Sequence, residues 1–254
     1  MKKKKTKLEI LLSILLAALA MLYIIPFLMM VLGSFKSQAE AAKFDLSLPS
    51  KWLFSNYAHV MESGKILSGY INSAIITIPV TFVSLVLGAL AGIVISRRND
   101  RICEGLYYYF IFGLTLTLQI ASIFFLLKAF HIYGTFFSVI CIFISLRIPF
   151  TVMTFSSFVK GVPKEIDEAA MIDGASYSRT LFQVFFPMAI PVTISMAVAF
   201  FLTNWNNYFW PLVVIHDRNL WVVQLAITSF KESYSSAWNL IFAASLMASI
   251  PIIL

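Results

Sequence analysis

Few residues of this 254-residue chain could do covalent chemistry, and they are scattered. Cys103 and Cys141 stand apart from each other and from any histidine at metal-ligand spacing, so neither a disulfide framework nor a zinc site is supported. His59, His131 and His216 lie singly in or beside segments that read as loops, and no Ser, His and Asp group as a nucleophile with its base. Gly64-Lys65 is followed by Ile66, where a phosphate loop needs a hydroxyl for magnesium. What remains is the chemistry of recognition. Gln119, Arg147, Asn204, Trp205, Asn206 and Asn207 are polar or amphipathic groups set in apolar surroundings. Amides bond hydroxyls, an indole face stacks on the C–H face of a pyranose, and polar groups inside an apolar shell mark candidate solute paths. Two plainer readings stand beside that one: Arg147 snorkelling to a membrane interface next to Pro149, and the Asn/Trp cluster as an interfacial belt.

The surroundings are apolar indeed. Hydrophobic residues make up 60% of the chain and charged ones 12%, against about 25% charged in ordinary soluble domains. A soluble enzyme is excluded on that ground. The net charge of +7 does not make a nucleic-acid binder either, because the basic residues lie between apolar runs and not on one solvated face. A bilayer-spanning helix needs about 20 apolar residues. Six stretches qualify, at about 8–32, 70–95, 106–127, 133–155, 188–214 and 237–254. The chain reads as one all-α transmembrane domain over 1–254, and the sixth stretch reaches Leu254 without a polar anchor, so a continuation is expected. The first follows a run of lysines but is longer than the apolar core of a signal peptide and lacks a small-residue cleavage site, so it is expected to be retained.

Charge orients the spans. With the N-terminus inside, Lys2, Lys3, Lys4, Lys5, Lys7, Arg97, Arg98, Arg101, Lys160, Lys164 and Arg179 are cytoplasmic; Lys36, Lys43, Lys51, Lys65, Lys128, Arg218 and Lys231 are external. Eleven against seven favours both termini inside. Gly88 and Gly92, with Ala89 and Ala91, form a small-residue face in the second span, suited to helix packing. Pro26, Pro79, Pro149 and Pro211 mark kinks.

Two connections are long. The outer one, 35–69, has room for an ordered cap with a turn near Leu48-Pro49-Ser50 and Trp52. The inner one, 156–187, contains a helix over Val162 to Gly174, with Pro163 in its first turn and Gly174 at its C-terminal cap. Glu165, Asp167 and Glu168 sit where the helix dipole favours anions, and Ile166, Ala169 and Ala170 fall at i, i+3, i+4. An interfacial helix would carry lysines and bulky anchors instead, so a protein partner is the better occupant.

Glu168-Ala169-Ala170, three residues, Gly174, nine residues, then Val184-Phe185-Phe186-Pro187 resembles the EAA loop of ATP-binding-cassette importer permeases, with Val184 and Phe186 in place of the usual Ile and Leu. More of the chain, about 35–210, is similar to the smaller permease of the maltose-type, binding-protein-dependent sugar importers: Asn56-Tyr57, Tyr70-Ile71-Asn72-Ser73, Pro163, Asp173-Gly174-Ala175-Ser176 and Trp205-Asn206. It departs at Arg97-Arg98-Asn99-Asp100 and Cys103, and the C-terminal cytoplasmic tail of that group is not among these 254 residues. The resemblance implies a heterodimer with a second permease, two ATPase subunits that hold the ATP and magnesium, an extracellular solute-binding protein and a sugar substrate. No cofactor is expected on this chain itself, and its place is the cytoplasmic membrane of a prokaryote. In such a family Glu168 would pair with a base on the ATPase, Ala169 and Ala170 would pack in its cleft, and Gly174 and Pro187 would shape the turn and the next helix. A permease for a non-sugar solute, a self-sufficient carrier or channel, and a scaffold that anchors an ATPase stay open beside it. Carriers usually show intramembrane acids or broken inverted repeats, and neither is evident.

Overall fold

The computed structural model describes residues 7–98, 100–116, 119–231 and 236–253. They are almost wholly helical and divide into two compact units, one of residues 1–70 with 223–254, the other of 71–222.

The first unit contains α1 (Lys7–Ser34), α2 (Gln38–Ala41) and α3 (Ser55–Ser63), and the start of α4 (Ile66–Arg97). The segment 35–69 is ordered, as expected of a cap. Its centre is Lys36, 1% exposed, whose Nζ donates to Asp45 Oδ1 at 2.6 Å, to the Asp45 carbonyl at 3.1 Å and to Ser47 Oγ at 3.1 Å. A buried cation is tolerable only when paired and fully bonded in this way. Asn56, also buried, donates through Nδ2 to the carbonyls of Ser34 and Lys36 at 2.8 and 3.0 Å, and its Oδ1 accepts from Asn239 Nδ2 at 3.1 Å. Phe35 packs its ring against Trp52, Phe54 and Tyr57.

The second unit holds most of α4, then α5 (Arg101–Thr115), α6 (Ile120–Ala129), α7 (Phe136–Lys160), α8 (Glu165–Ile172), α9 (Tyr177–Thr180), a π-helical turn at Leu181–Phe185, α10 (Phe186–Met188), α11 (Ile190–Trp205) and α12 (Phe209–Val214). The first unit resumes with α13 (Val223–Ala226) and α14 (Trp238–Ile253), the latter packed along α1 and α3. The small-residue face of α4 meets α7: a Cβ on Gly92 would lie 2.7 Å from the Val152 carbonyl oxygen and 2.8 Å from Phe155 Cβ, and one on Gly88 would strike Thr151. Glycine is required there because the two backbones nearly touch.

Among the described residues, three helices are long and apolar enough to cross a membrane, Leu12–Gly33, Ile66–Arg97 and Phe136–Lys160; two bent pairs raise the number to five if each is one span, and Trp238–Ile253 is a shorter apolar helix. The expected third span, 106–127, is not one straight helix: α5 and α6 are inclined at 118° to each other. Thr115 turns its hydroxyl back onto the Phe112 carbonyl at 2.8 Å, and Leu116 and Gln119 are extended, so the ladder stops. The fifth stretch, 188–214, is corrected too. A bend of 68° separates Tyr177–Met188 from Ile190–Trp205, at a site flanked by Pro187 and Pro191, neither of which has an amide hydrogen to donate. Beyond Trp205 the helix ends, and Asn207 Oδ1 accepts the Trp210 amide at 3.2 Å to begin α12.

Candidate functional site

The connection 156–187 holds the expected helix closed by glycine, but shorter than 162–174: α8 runs Glu165–Ile172 from an N-cap at Lys164, so Pro163 precedes the helix and is not in its first turn. Gly174 has φ +74°, and its neighbours form the bonds of a left-handed cap: Ala175 N–H donates to the Ala170 carbonyl at 2.9 Å and Gly174 N–H to that of Met171 at 3.0 Å. A side chain at 174 would meet no neighbour, so glycine is needed for its backbone conformation and not for space.

No residue of α8 is buried. Ile166 leans on a cluster of Ile93, Val159, Val162, Leu181 and Phe185, with Asp167 and Ala170 half-covered beside it. Glu165, Glu168 and Ala169 face outward, together with Met171 at 64% and Ile172 at 85% exposure. The expected single face of Ile166, Ala169 and Ala170 therefore splits. Ile166 and Ala170 turn inward, while Ala169 joins the two glutamates on the surface. Pro187 is exposed on α10, just past the π-helical turn.

Of the candidate path residues the structure joins two. Arg147 on α7 donates from Nε at 3.1 Å and Nη2 at 2.9 Å to Asn204 Oδ1 on α11, with its guanidinium 5.5 Å from the Phe200 ring centroid. Its partner is thus an amide, where the sequence offers no acid in any span. Asn204 is 3% exposed and its Nδ2 meets no acceptor within the described residues. Trp205 is buried with its ring stacked on Phe201 at 5.4 Å. Asn206 ends α11, Asn207 accepts the Trp210 amide as described above, and Gln119 is exposed at the start of α6.

Several sugar-permease-like positions turn out to be scaffold. Asn56 is the buried amide of the cap, Tyr57 shares a 2.7 Å hydrogen bond with Ser34 Oγ, and Asn72 Nδ2 ties down the carbonyls of Asn219 and Trp221 at 2.9 Å each. One contact beside α8 has no warning in the local pattern. Arg97, at the end of α4, lies 2.9 Å from Asp167 through Nε, donates from Nη2 to the Val162 carbonyl at 3.1 Å and lies over the Phe185 ring at 5.0 Å.

Against this geometry the comparisons are consistent. Residues 84–254 match the family described as binding-protein-dependent transport system inner membrane component. The diacetylchitobiose uptake system permease protein NgcG of Streptomyces coelicolor is 32% identical over 239 residues, covering 92% of this chain and 79% of that protein. The arabinooligosaccharides transport system permease protein AraQ of Halalkalibacterium halodurans is 26% identical over 263 residues, 99% of this chain and 92% of that one. In fold, the chain is similar to a crystal structure of a bacterial ABC transporter involved in the import of the acidic polysaccharide alginate, with a TM-score of 0.87, 18% identity, and 99% and 96% of the two chains covered. With apolar helices long enough to span a bilayer and a match over more than half its length, this multi-pass membrane chain belongs to the family of inner membrane components of binding-protein-dependent transport systems.

Proposed function

We propose that this chain is one of two permease subunits of an ABC importer that admits a carbohydrate delivered by an extracellular binding protein, with ATP and magnesium held by two separate ATPase subunits. Its place is the cytoplasmic membrane of a prokaryote, crossed six times, with α5–α6 and the bent segment around α11 each counted as one crossing and both termini inside. The sugar assignment is supported by relatives whose names carry diacetylchitobiose and arabinooligosaccharides. The observation that carries the importer reading is α8. It is a short acidic helix with no buried residue, with Ile172 projecting and the EAA spacing at its exposed end, and such a surface wants a protein cleft. In this reading Glu168 meets a base of the ATPase, Ala169 allows close approach, and Gly174 and Pro187 set the path into α11.

The path residues enter as a second tier. The buried Asn204 Nδ2 without an acceptor is the kind of donor a solute hydroxyl satisfies, and Arg147 holds that amide in place. Gln119, Trp205, Asn206 and Asn207 complete the proposed set. Tagging the chain, extracting it in mild detergent and identifying what co-purifies in stoichiometric amount tests the assignment. An ATPase with a phosphate loop and a second multi-span permease are expected; a chain that runs alone or as a homo-oligomer would return the choice to a carrier or channel.

A further inference from the structure

Beside the apolar seat of Ile166, α8 has a largely covered polar contact with its own unit. Arg97 and Asp167 have side chains only 10% and 22% exposed. One guanidinium reaches four elements: the end of α4 that bears it, the Val162 carbonyl in the link from α7, Asp167 on α8, and the Phe185 ring in the π-helical turn that leads to α11. The Nε–Asp167 contact is an ion pair and not a directed hydrogen bond, so orientation comes from the Val162 bond and the aromatic face together. Apolar packing beside it is incomplete. A cavity of about 320 Å³, lined by Ile93, Met171, Ala175, Leu181 and Phe185 among others, opens next to the pair. On that side, α8 is held by charge where a core would hold it by dense contact.

We infer that Arg97 is the positioning residue of α8, the tie through which a force on this helix reaches α4 and the segment leading to α11. The inference deepens the importer reading and rests on it for the source of that force. A pair this covered cannot lose one member cheaply, because the other is left charged in poor solvent. A lysine keeps the charge opposite Asp167 and can restore the pair, but not the flat guanidinium contact with the Phe185 ring.

The test has two arms. In the full chain, with Cys103 and Cys141 replaced by Ala, nitroxides at Leu87→Cys and Lys164→Cys report the distance distribution between α4 and the start of α8; both positions are exposed. A narrow distribution is expected for the parent, a broad one for Arg97→Met and for Asp167→Asn, and substantial recovery of the narrow form for Arg97→Lys. Parent-like narrow distributions in both Arg97→Met and Asp167→Asn overturn the inference, as does a broadening in Arg97→Met that Arg97→Lys leaves unchanged. In the complex with its ATPase, the same label pair should keep its distance on addition of a non-hydrolysable ATP analogue in the parent and shift in Arg97→Met, with the ATPase still bound. A parent chain that brings no ATPase refutes the importer reading, while the first arm still decides the tie.

Discussion

Two connections of this chain solve opposite problems. The cap between α1 and α4 satisfies itself: Lys36 is closed in by Asp45 and Ser47, Asn56 by Ser34, Lys36 and Asn239, and Phe35 by three rings. The link from α7 to α11 leaves its helix without a buried residue and sets Ile172 almost free of neighbours. A folded segment that satisfies its own polar groups is built to stay. One that presents acid, alanine and an isolated isoleucine is built to be covered. Similarity of type at the sequence level therefore hides a division of labour, since both segments are long polar connections with a helix inside.

The largest effect separating them is expected from Glu168→Lys. Reversing the exposed charge on α8 should place like charge against the partner's base and lower uptake about a hundredfold, with loss of the co-purifying ATPase. Hydrogen exchange of residues 38–63 should not change. Uptake at the parent rate would remove Glu168 from any docking role. Next comes Asn56→Leu, in the other connection. It orphans the Ser34 and Lys36 carbonyls and the Asn239 amide, at a cost of about 2 kcal/mol in stability by thermal melting, while ATPase binding is preserved. A melting curve that matches the parent would mean the cap is held by its rings alone.

Much of the second connection was legible from spacing because its signals are local. The three acids of the first turn and Gly174 lie within one short run and obey the rules of helix ends, with the positive φ at Gly174, whereas Pro163 falls before the N-cap at Lys164. The glycines of α4 were legible for the same reason, as a periodic small face that α7 fills. What could not be read were the pairings over long sequence distance. Arg97 reads as a topological charge until Asp167 is folded against it, and Asn56 reads as a family mark until it is seen to bond backbone. The breaks after Thr115 and after Trp205 escaped because the polar residues there read as members of a solute path within longer apolar runs, while the structure shows hydroxyl and amide side chains bonding the backbone beside them.

A smaller functional effect is expected from Gly174→Val. The left-handed backbone at 174 costs a β-branched residue about 1–2 kcal/mol, enough to reduce uptake about tenfold through a displaced α8, with the chain still folded and inserted. Gly174→Asn should fall between, because asparagine tolerates that region. Equal uptake in both variants and the parent would show that the cap geometry does not matter to docking.

The subtlest contrast is one of pH. In the cap, the Asp45 carboxyl is held down from 3.8 to about 2, first by the hydrogen bond from Lys36, and Glu40 from 4.5 to about 2, first by the hydrogen bond from Ser50 and then by Ser37. Both groups have a lower folded than unfolded value, so the unfolded segment takes up protons first as the medium is acidified. Their contribution is complete above about 4.5 and is lost as pH falls towards about 2. Protonating Asp45 also leaves Lys36, 1% exposed, with only neutral oxygens around its charge. Amide protection over 38–63 is thus expected to be flat from pH 7 to 5 and to decline below 4.5, after correction for intrinsic exchange, with Asp45→Asn lowering it already at pH 7. A decline that begins between pH 7 and 5 in the parent would transfer control of the cap from these carboxylates to another group, and the self-sufficiency that distinguishes it from α8 would then need a different source.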